Sequence, residues 1–405
     1  MALMTVESWD LEHPNQLLYE EHDGFVAEPA KDYGANLIVP IGGVAWKIWG
    51  GTRSFFLYHS CPGTTPIYFF QIGRVVYFSQ SLIAIRAKAA ELGQRVKDIT
   101  QAKEGIAYHW SVKGMRRYVV DTIKVNYESM TLTKAGEKFL DLMVQAAGFW
   151  KGEKVLTTVS GGTDGILTAL ALKLAGVDQH CVCVGRSEED FDPMHARKYC
   201  EQLDLPYTFI QLPDENDDEA LEALLTRALK SIELTDFSNV LMGMCNTLVG
   251  DFAAAINCNW VLTADIADVV LGQDLLSWGS FNKEHPNASG PKWAEYRNKN
   301  LLRTLPNNLM VYKVFNFVGL RTGQVFLDRR VLEFLLSLPL DCTPTNGKKP
   351  VYYQALKGYI TDGSWEASGK KVGFYTGSGI GKTRLDNPIL SDTNIRRIYN
   401  SLTKD

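Results

Sequence analysis

Ser160-Gly161-Gly162-Thr163-Asp164-Gly165 stands between two apolar runs, KVLTTVS and GILTALALKLAG. Glycines let backbone amides approach an anion, and a helix opening at such a turn points its positive end at the same place. That is the chemistry of holding a phosphate. Asp164, inside the turn, adds a carboxylate suited to Mg²⁺ shared with phosphate oxygens. About a hundred residues on, Trp260-Val261-Leu262-Thr263-Ala264-Asp265-Ile266-Ala267-Asp268 sets two acids three apart after an apolar strand. Carboxylates at the end of a strand suit metal and amine work. Each feature also has a structural reading, since a glycine turn closes many strand-to-helix connections and a DxxD pair by itself is weak. The dinucleotide fingerprint GxGxxG is absent. Gly377-Ser378-Gly379-Ile380-Gly381-Lys382-Thr383 nearly spells a Walker A loop, but three residues separate its outer glycines where four are required.

These residues need a frame to bring them together. From about 150 to 275 the chain alternates strand and helix, which predicts a parallel α/β sheet. Its strands are KVLTTVS, HCVCVG (180–185), YTFIQL and the run beginning at Trp260; helices are expected over 134–150, around 193–203 and in ALEALLTRALKSIEL. The acidic run Asp214 to Glu219 reads as a charge-complemented start of that last helix. Residues 1–133 read instead as a smaller β-rich domain. GGVAWKIWGG, SFFLYH, PIYFFQIG and RVVYFSQ are short aromatic or β-branched runs parted by glycine or proline. Helices are expected there at 81–92 and 100–110, and a strand pair over 117–133. Residues 281–300, polar and holding Pro286, Gly290 and Pro291, read as a loop. The last third is expected to be mainly helical, ending in a glycine-rich stretch at 369–383.

Composition narrows the function classes. The chain has 405 residues, 45% hydrophobic and 22% charged, enough for more than one core. Its net charge of −4 gives no basic field to recruit nucleic acid. No apolar run reaches the roughly 18 residues of a membrane span, and MALMTVESWDLEH lacks the pattern of an export signal. Seven cysteines with no CxxC fit buried reduced thiols, so a cytoplasmic protein is expected.

On the glycine turn, the chain resembles the ATP pyrophosphatase (PP-loop) superfamily, whose SGGxD loop holds the pyrophosphate of ATP. Gly165 stands where that family usually has Ser or Thr. The Asp265–Gly272 segment resembles LSGEGxDELFGG of asparagine synthetases, and more closely the β-lactam synthetase variant. On that match Asp268 is the second Mg²⁺ ligand beside Asp164. Asp265 falls beside the activated acyl group, where asparagine synthetases carry Glu and β-lactam synthetases Tyr. Val325-Phe326-Leu327-Asp328, followed by LLSLP, is similar to a structural turn and helix of the family. Arg321-Thr322-Gly323 replaces the preceding Glu-x-Arg, which argues against aspartate as substrate.

Lys371-Val372-Gly373-Phe374-Tyr375-Thr376-Gly377-Ser378-Gly379 resembles the β-lactam synthetase tail KxGxxxGSG. The resemblance makes Lys371 the cation that stabilises the transferring group. Lys349, in GKKPVYYQAL, matches a lysine on the nucleotide. The implied cofactor-binding set is Ser160, Gly161, Gly162, Asp164, Gly165, Val184 and Lys349; Lys371 and Asp265 are the catalytic candidates. His59 to Tyr68 and Phe78 to Leu82 are similar to segments of the family's glutaminase domain, here shortened. Its nucleophilic cysteine is replaced at position 2 by alanine, so glutamine hydrolysis is not expected.

The resemblance implies ATP and Mg²⁺ as cofactors and a two-step amide synthesis through an acyl-adenylate and pyrophosphate. Its partners are a small-molecule or peptide carboxylate and an amine, with no nucleic acid or membrane. Ammonia-dependent asparagine formation and a catalytically inactive nucleotide-binding homologue remain open. Without metal, Asp164 and Asp268 are expected to repel each other.

Overall fold

The computed structural model describes residues 7–10, 44–49, 54–59, 66–73, 75–103, 105–111, 114–119, 125–271, 281, 290–297, 313–343, 349–361, 377–379 and 387–402. The first part holds two antiparallel sheets. One is built from β1 (Glu7–Asp10), β4 (Tyr68–Ile72), β5 (Val75–Ser79) and β6 (Thr100–Gln101), in the order β1-β5-β4-β6. The other follows the order β2-β3-β7-β8, from Val44–Trp49, Ser54–His59, Ile106–Ser111 and Gly114–Val119. Alternation along the strands sends Leu57, Phe69, Val76, Phe78, Tyr108 and Trp110 into one buried cluster between the sheets. Tyr68 and Phe70 point the other way, against α1 (Leu82–Glu91).

The second part carries a five-stranded parallel sheet in the order β11-β10-β9-β12-β13. In chain order its elements are α2 (Leu132–Ala147), β9 (Lys154–Thr158), α3 (Thr163–Ala175), β10 (Asp178–Gly185), α4 (Phe191–Gln202), β11 (Tyr207–Gln211), α5 (Asp218–Ile232), α6 (Phe237–Ala255), β12 (Trp260–Leu262), α7 (Ala267–Leu271), α8 (Lys313–Phe317), β13 (Arg321–Gly323), α9 (Arg329–Leu336), α10 (Pro350–Leu356) and α11 (Asp392–Leu402). The expected α/β fold is therefore present. Helix α3 is buried from Thr163 to Leu172 apart from Asp164, as a helix wedged between a sheet and α2 must be. The sequence winds outward from β9 to β11 and then returns to β9's other side with β12. The strand order reverses between β9 and β12, the place where open α/β sheets bind ligands.

Glu233 links the two parts. It follows α5 in the left-handed region (φ 58°), is 4% exposed, and is ion-paired with the buried Lys313. Its carboxylate also accepts from Ser81 Oγ, from Leu82 N at 2.8 Å and from Ile83 N at 3.2 Å, capping α1 from across the chain.

Three expected elements differ. Residues 100–110 form β6, a turn at Gly105 (φ 69°) and the start of β7, because Tyr108 and Trp110 alternate into the sandwich core. In 117–133 a strand is present only to Val119; residues 125–130 are irregular, and 120–124 lie outside the described residues. Within the loop expected over 281–300, residues 290–297 are helical, with Pro291 in the first turn. Arg297 is buried there and donates 2.9 Å hydrogen bonds to the carbonyls of Leu335 and Leu336 at the end of α9. The six described cysteines are buried free thiols. Among the described residues no helix is long and apolar enough to cross a membrane.

Candidate phosphate and cation site

The loop from Ser160 to Asp164 leaves the carboxyl end of β9 and opens α3. Gly162 is the N-cap and supplies no side chain, so no N-cap side chain takes up the first amides of α3. Gly162 N turns back to Ser160 Oγ at 3.2 Å, and Gly161 N donates to Asp192 Oδ1 at 3.1 Å. An uncapped helix start behind two glycines is a fit for an anionic oxygen. Val184 is buried on β10 beside this loop's strand, paired with Ile210 of β11. Gly165 has a different reason for being glycine. A Cβ there would meet Thr158 O at 2.8 Å and Val159 Cα at 3.0 Å, so its face is pressed against the end of β9. Gly165→Ser is expected to cost about 1–3 kcal/mol through overpacking, with no gain in nucleotide affinity. Urea denaturation and a nucleotide titration check both halves; a neutral change in stability would mean the helix and strand can part freely.

Asp268 lies in the first turn of α7, after the carboxyl end of β12. Because β12 pairs directly with β9, Asp268 and Asp164 come from neighbouring strand ends. They meet at one cation. Lys349 Nζ hydrogen-bonds both oxygens of Asp164, with Oδ2 at 2.5 Å, and lies 2.6 Å from Asp268 Oδ1. Lys349 is 5% exposed and precedes Pro350 at the start of α10. Tyr352, one turn along, donates to Ala267 O at 3.1 Å and stacks on Phe139, which fixes α10 against α7. Burial works against the lysine's charge, but the two carboxylates outweigh it and hold its pKa above the usual value. The expected repulsion between Asp164 and Asp268 is thus relieved by Lys349.

Asp265 differs from this pair. It is open to solvent, yet protein crowds it enough that desolvation, with Asp164 and Asp268 adding repulsion, pushes its carboxyl up to about 6. The loop that carries it is held by Gln324, whose Oε1 accepts from Ile266 N at 3.2 Å. Lys371 lies outside the described residues.

Among the described residues no group of three His, Cys, Asp or Glu side chains is placed to hold a metal by itself. The pair Asp164 and Asp268 suits a divalent cation that takes its remaining ligands from phosphate and water. Asp192, Tyr352 and the ion-pairing role of Lys349 were not legible in the sequence. The nearest signal for Asp192 was its place just after β10, at another strand's carboxyl end.

No protein-family model and no curated protein sequence matches the chain. Among solved structures it is similar to the NH3-dependent NAD synthetase from Campylobacter jejuni in complex with nitrate, at 19% identity over 47% of this chain and 95% of that one, with a TM-score of 0.27. It is also similar to the U34-tRNA thiolase NcsA from Methanococcus maripaludis with its 4Fe-4S cluster, at 15% identity over 70% of this chain and 88% of that one, TM-score 0.29.

Proposed function

We propose that the chain is an ATP-dependent ligase that forms an amide, in the manner of the asparagine and β-lactam synthetases its motifs resemble. The observation that supports this is the meeting of Asp164 and Asp268 at one Nζ beside the glycine loop and an uncapped helix start. A carboxylate oxygen of the substrate attacks the α-phosphorus of ATP, and pyrophosphate leaves. An amine nitrogen then attacks the acyl carbon, AMP leaves, and the amine's proton is lost. Ser160, Gly161 and Gly162 hold the departing phosphates, and Lys371 is the cation for the transferring group. Asp164 and Asp268 would hold Mg²⁺, which would offset charge on the pyrophosphate. Lys349, already charged and buried, gives the phosphates a second cation. Gly165 does not favour an inactive homologue, since packing explains it.

ATP–pyrophosphate exchange by the full chain, across a panel of amino acids and short peptide acids, is the test. Exchange above background with at least one acid is expected; nucleotide binding without any exchange would leave only a binding role. In this reading Asp265 receives the amine's proton. Asp265→Asn is expected to leave exchange within about twofold and to slow amide formation by about a hundredfold, the low end for a positioned base. Equal loss in both steps would move Asp265 to the nucleotide site.

A further inference from the structure

Asp192 is 2% exposed in the first turn of α4, and its carboxyl lies between two glycine segments far apart in sequence. On one side Oδ1 accepts from Gly161 N of the phosphate loop at 3.1 Å, and a Cβ on Gly161 would sit 3.0 Å from that oxygen. On the other side a Cβ on Gly377 would overlap the same carboxyl. Two residues further along, the pattern repeats. A Cβ on Gly379 (φ 73°) would sit 2.5 Å from Asp190 Oδ2, which already accepts from Ser187 N at 3.0 Å. Between these glycines Ser378 is fully buried, and its carbonyl accepts from Arg186 N at 3.1 Å. Residues 377–379 are therefore strapped across the carboxyl end of β10, glycine against aspartate twice over.

The other oxygen of Asp192, Oδ2, is buried with no hydrogen-bond partner among the described residues. A residue chosen for stability alone would not leave it so, because an unsatisfied buried polar atom costs more than a hydrogen bond returns. Burial, with Asp190 nearby, also pushes this carboxyl up to about 7 against the Gly161 hydrogen bond. The acid is kept where it is unfavourable.

We infer that Asp192 is a positioning residue that joins the Ser160–Asp164 loop to the Gly377–Gly379 strap, so that the loop backbone and residues 377–379 are set as one piece. Its consequence for phosphate binding rests on the proposed ligase reading; the coupling itself does not. Without ligand, Asp192→Ala is expected to speed amide hydrogen exchange about tenfold in the loop and in the strap together, the scale of one lost hydrogen bond. Gly377→Ala presses on the carboxyl from the strap side and is expected to speed exchange at Gly161, with no change made in the loop. Asp192→Asn keeps an acceptor for Gly161 N and is expected to stay near the parent protein. With Mg²⁺ and inorganic pyrophosphate as probe, the dissociation constant is expected to rise about tenfold in the two alanine variants and little in Asp192→Asn.

Loop and strap exchange changing independently would overturn the coupling. Faster exchange with unchanged pyrophosphate affinity would reduce Asp192 to a packing role. If Asp192→Ala does not fold, Asp192→Asn and Gly377→Ala carry the comparison. If the parent protein does not bind pyrophosphate, the ligase reading fails, and exchange alone decides the coupling.

Discussion

Asp164→Asn and Asp268→Asn are each expected to lower ATP–pyrophosphate exchange by about a hundredfold to a thousandfold, the loss seen when a preorganised charge is removed from developing negative charge. Each substitution keeps the side chain's shape and removes half of a pair that meets at one point. The fold is expected to survive, because Lys349 keeps whichever acid remains, and both acids are partly exposed. Thermal melting should therefore shift by only a few degrees. The double variant should lose little more exchange than either single one, since one carboxylate cannot hold the site alone; neighbouring groups that act as a unit are not additive. Undiminished exchange in both single variants would remove the proposed site. A steep fall in melting temperature would instead make the acids structural partners of Lys349.

The largest effect on stability is expected at Lys313. Lys313→Met leaves Glu233 buried between α1 and α8 with three hydrogen-bond donors and no cation. Removing one side of a buried ion pair costs about 3–5 kcal/mol, because the remaining charge stays desolvated. Urea unfolding followed by tryptophan fluorescence and circular dichroism measures this. Adding Glu233→Gln to Lys313→Met should recover a large part of the loss, as the neutral amide can still accept from α1. A loss below about 1 kcal/mol in the single variant would put the pair in the class of solvated surface bridges. Since Glu233 caps α1 from the far part of the chain, exchange in α1 should rise with that in α8.

Much of the second part was legible because its signals are local. The glycine turn, the strand-helix alternation and the DxxD pair each sit within one element or its end, and the elements appear where those patterns fall. The misreadings came from residues whose partners are distant. Residues 290–297 read as a loop because the stretch is polar and holds Gly290 and Pro291; part of that polarity is Arg297, an inward position of the helix whose partners are carbonyls at the end of α9. Residues 100–110 carry enough Ala, Lys and Glu to suggest a helix, and only the opposite sheet makes Tyr108 and Trp110 core residues. Lys349 is picked out only by the family resemblance, as a nucleotide contact; its pairing with two acids is not visible because they lie far back in the chain, and strand order alone brings them near.

The pairing of β9 with β12 has a consequence for how the molecule is made. Loop, β9, α3 and β10 are consecutive, so the anion-holding half rests on contacts that close quickly and at short range. The cation-holding half waits for Trp260–Leu262 to find Val155–Thr157, across about a hundred residues of intervening chain. Refolding is therefore expected to pass through species that have acquired one half of the site and lack the other. A chain leaving the ribosome is in the same position until β12 has emerged. In a stopped-flow refolding experiment, anion affinity should return in an earlier phase than dependence on a divalent ion.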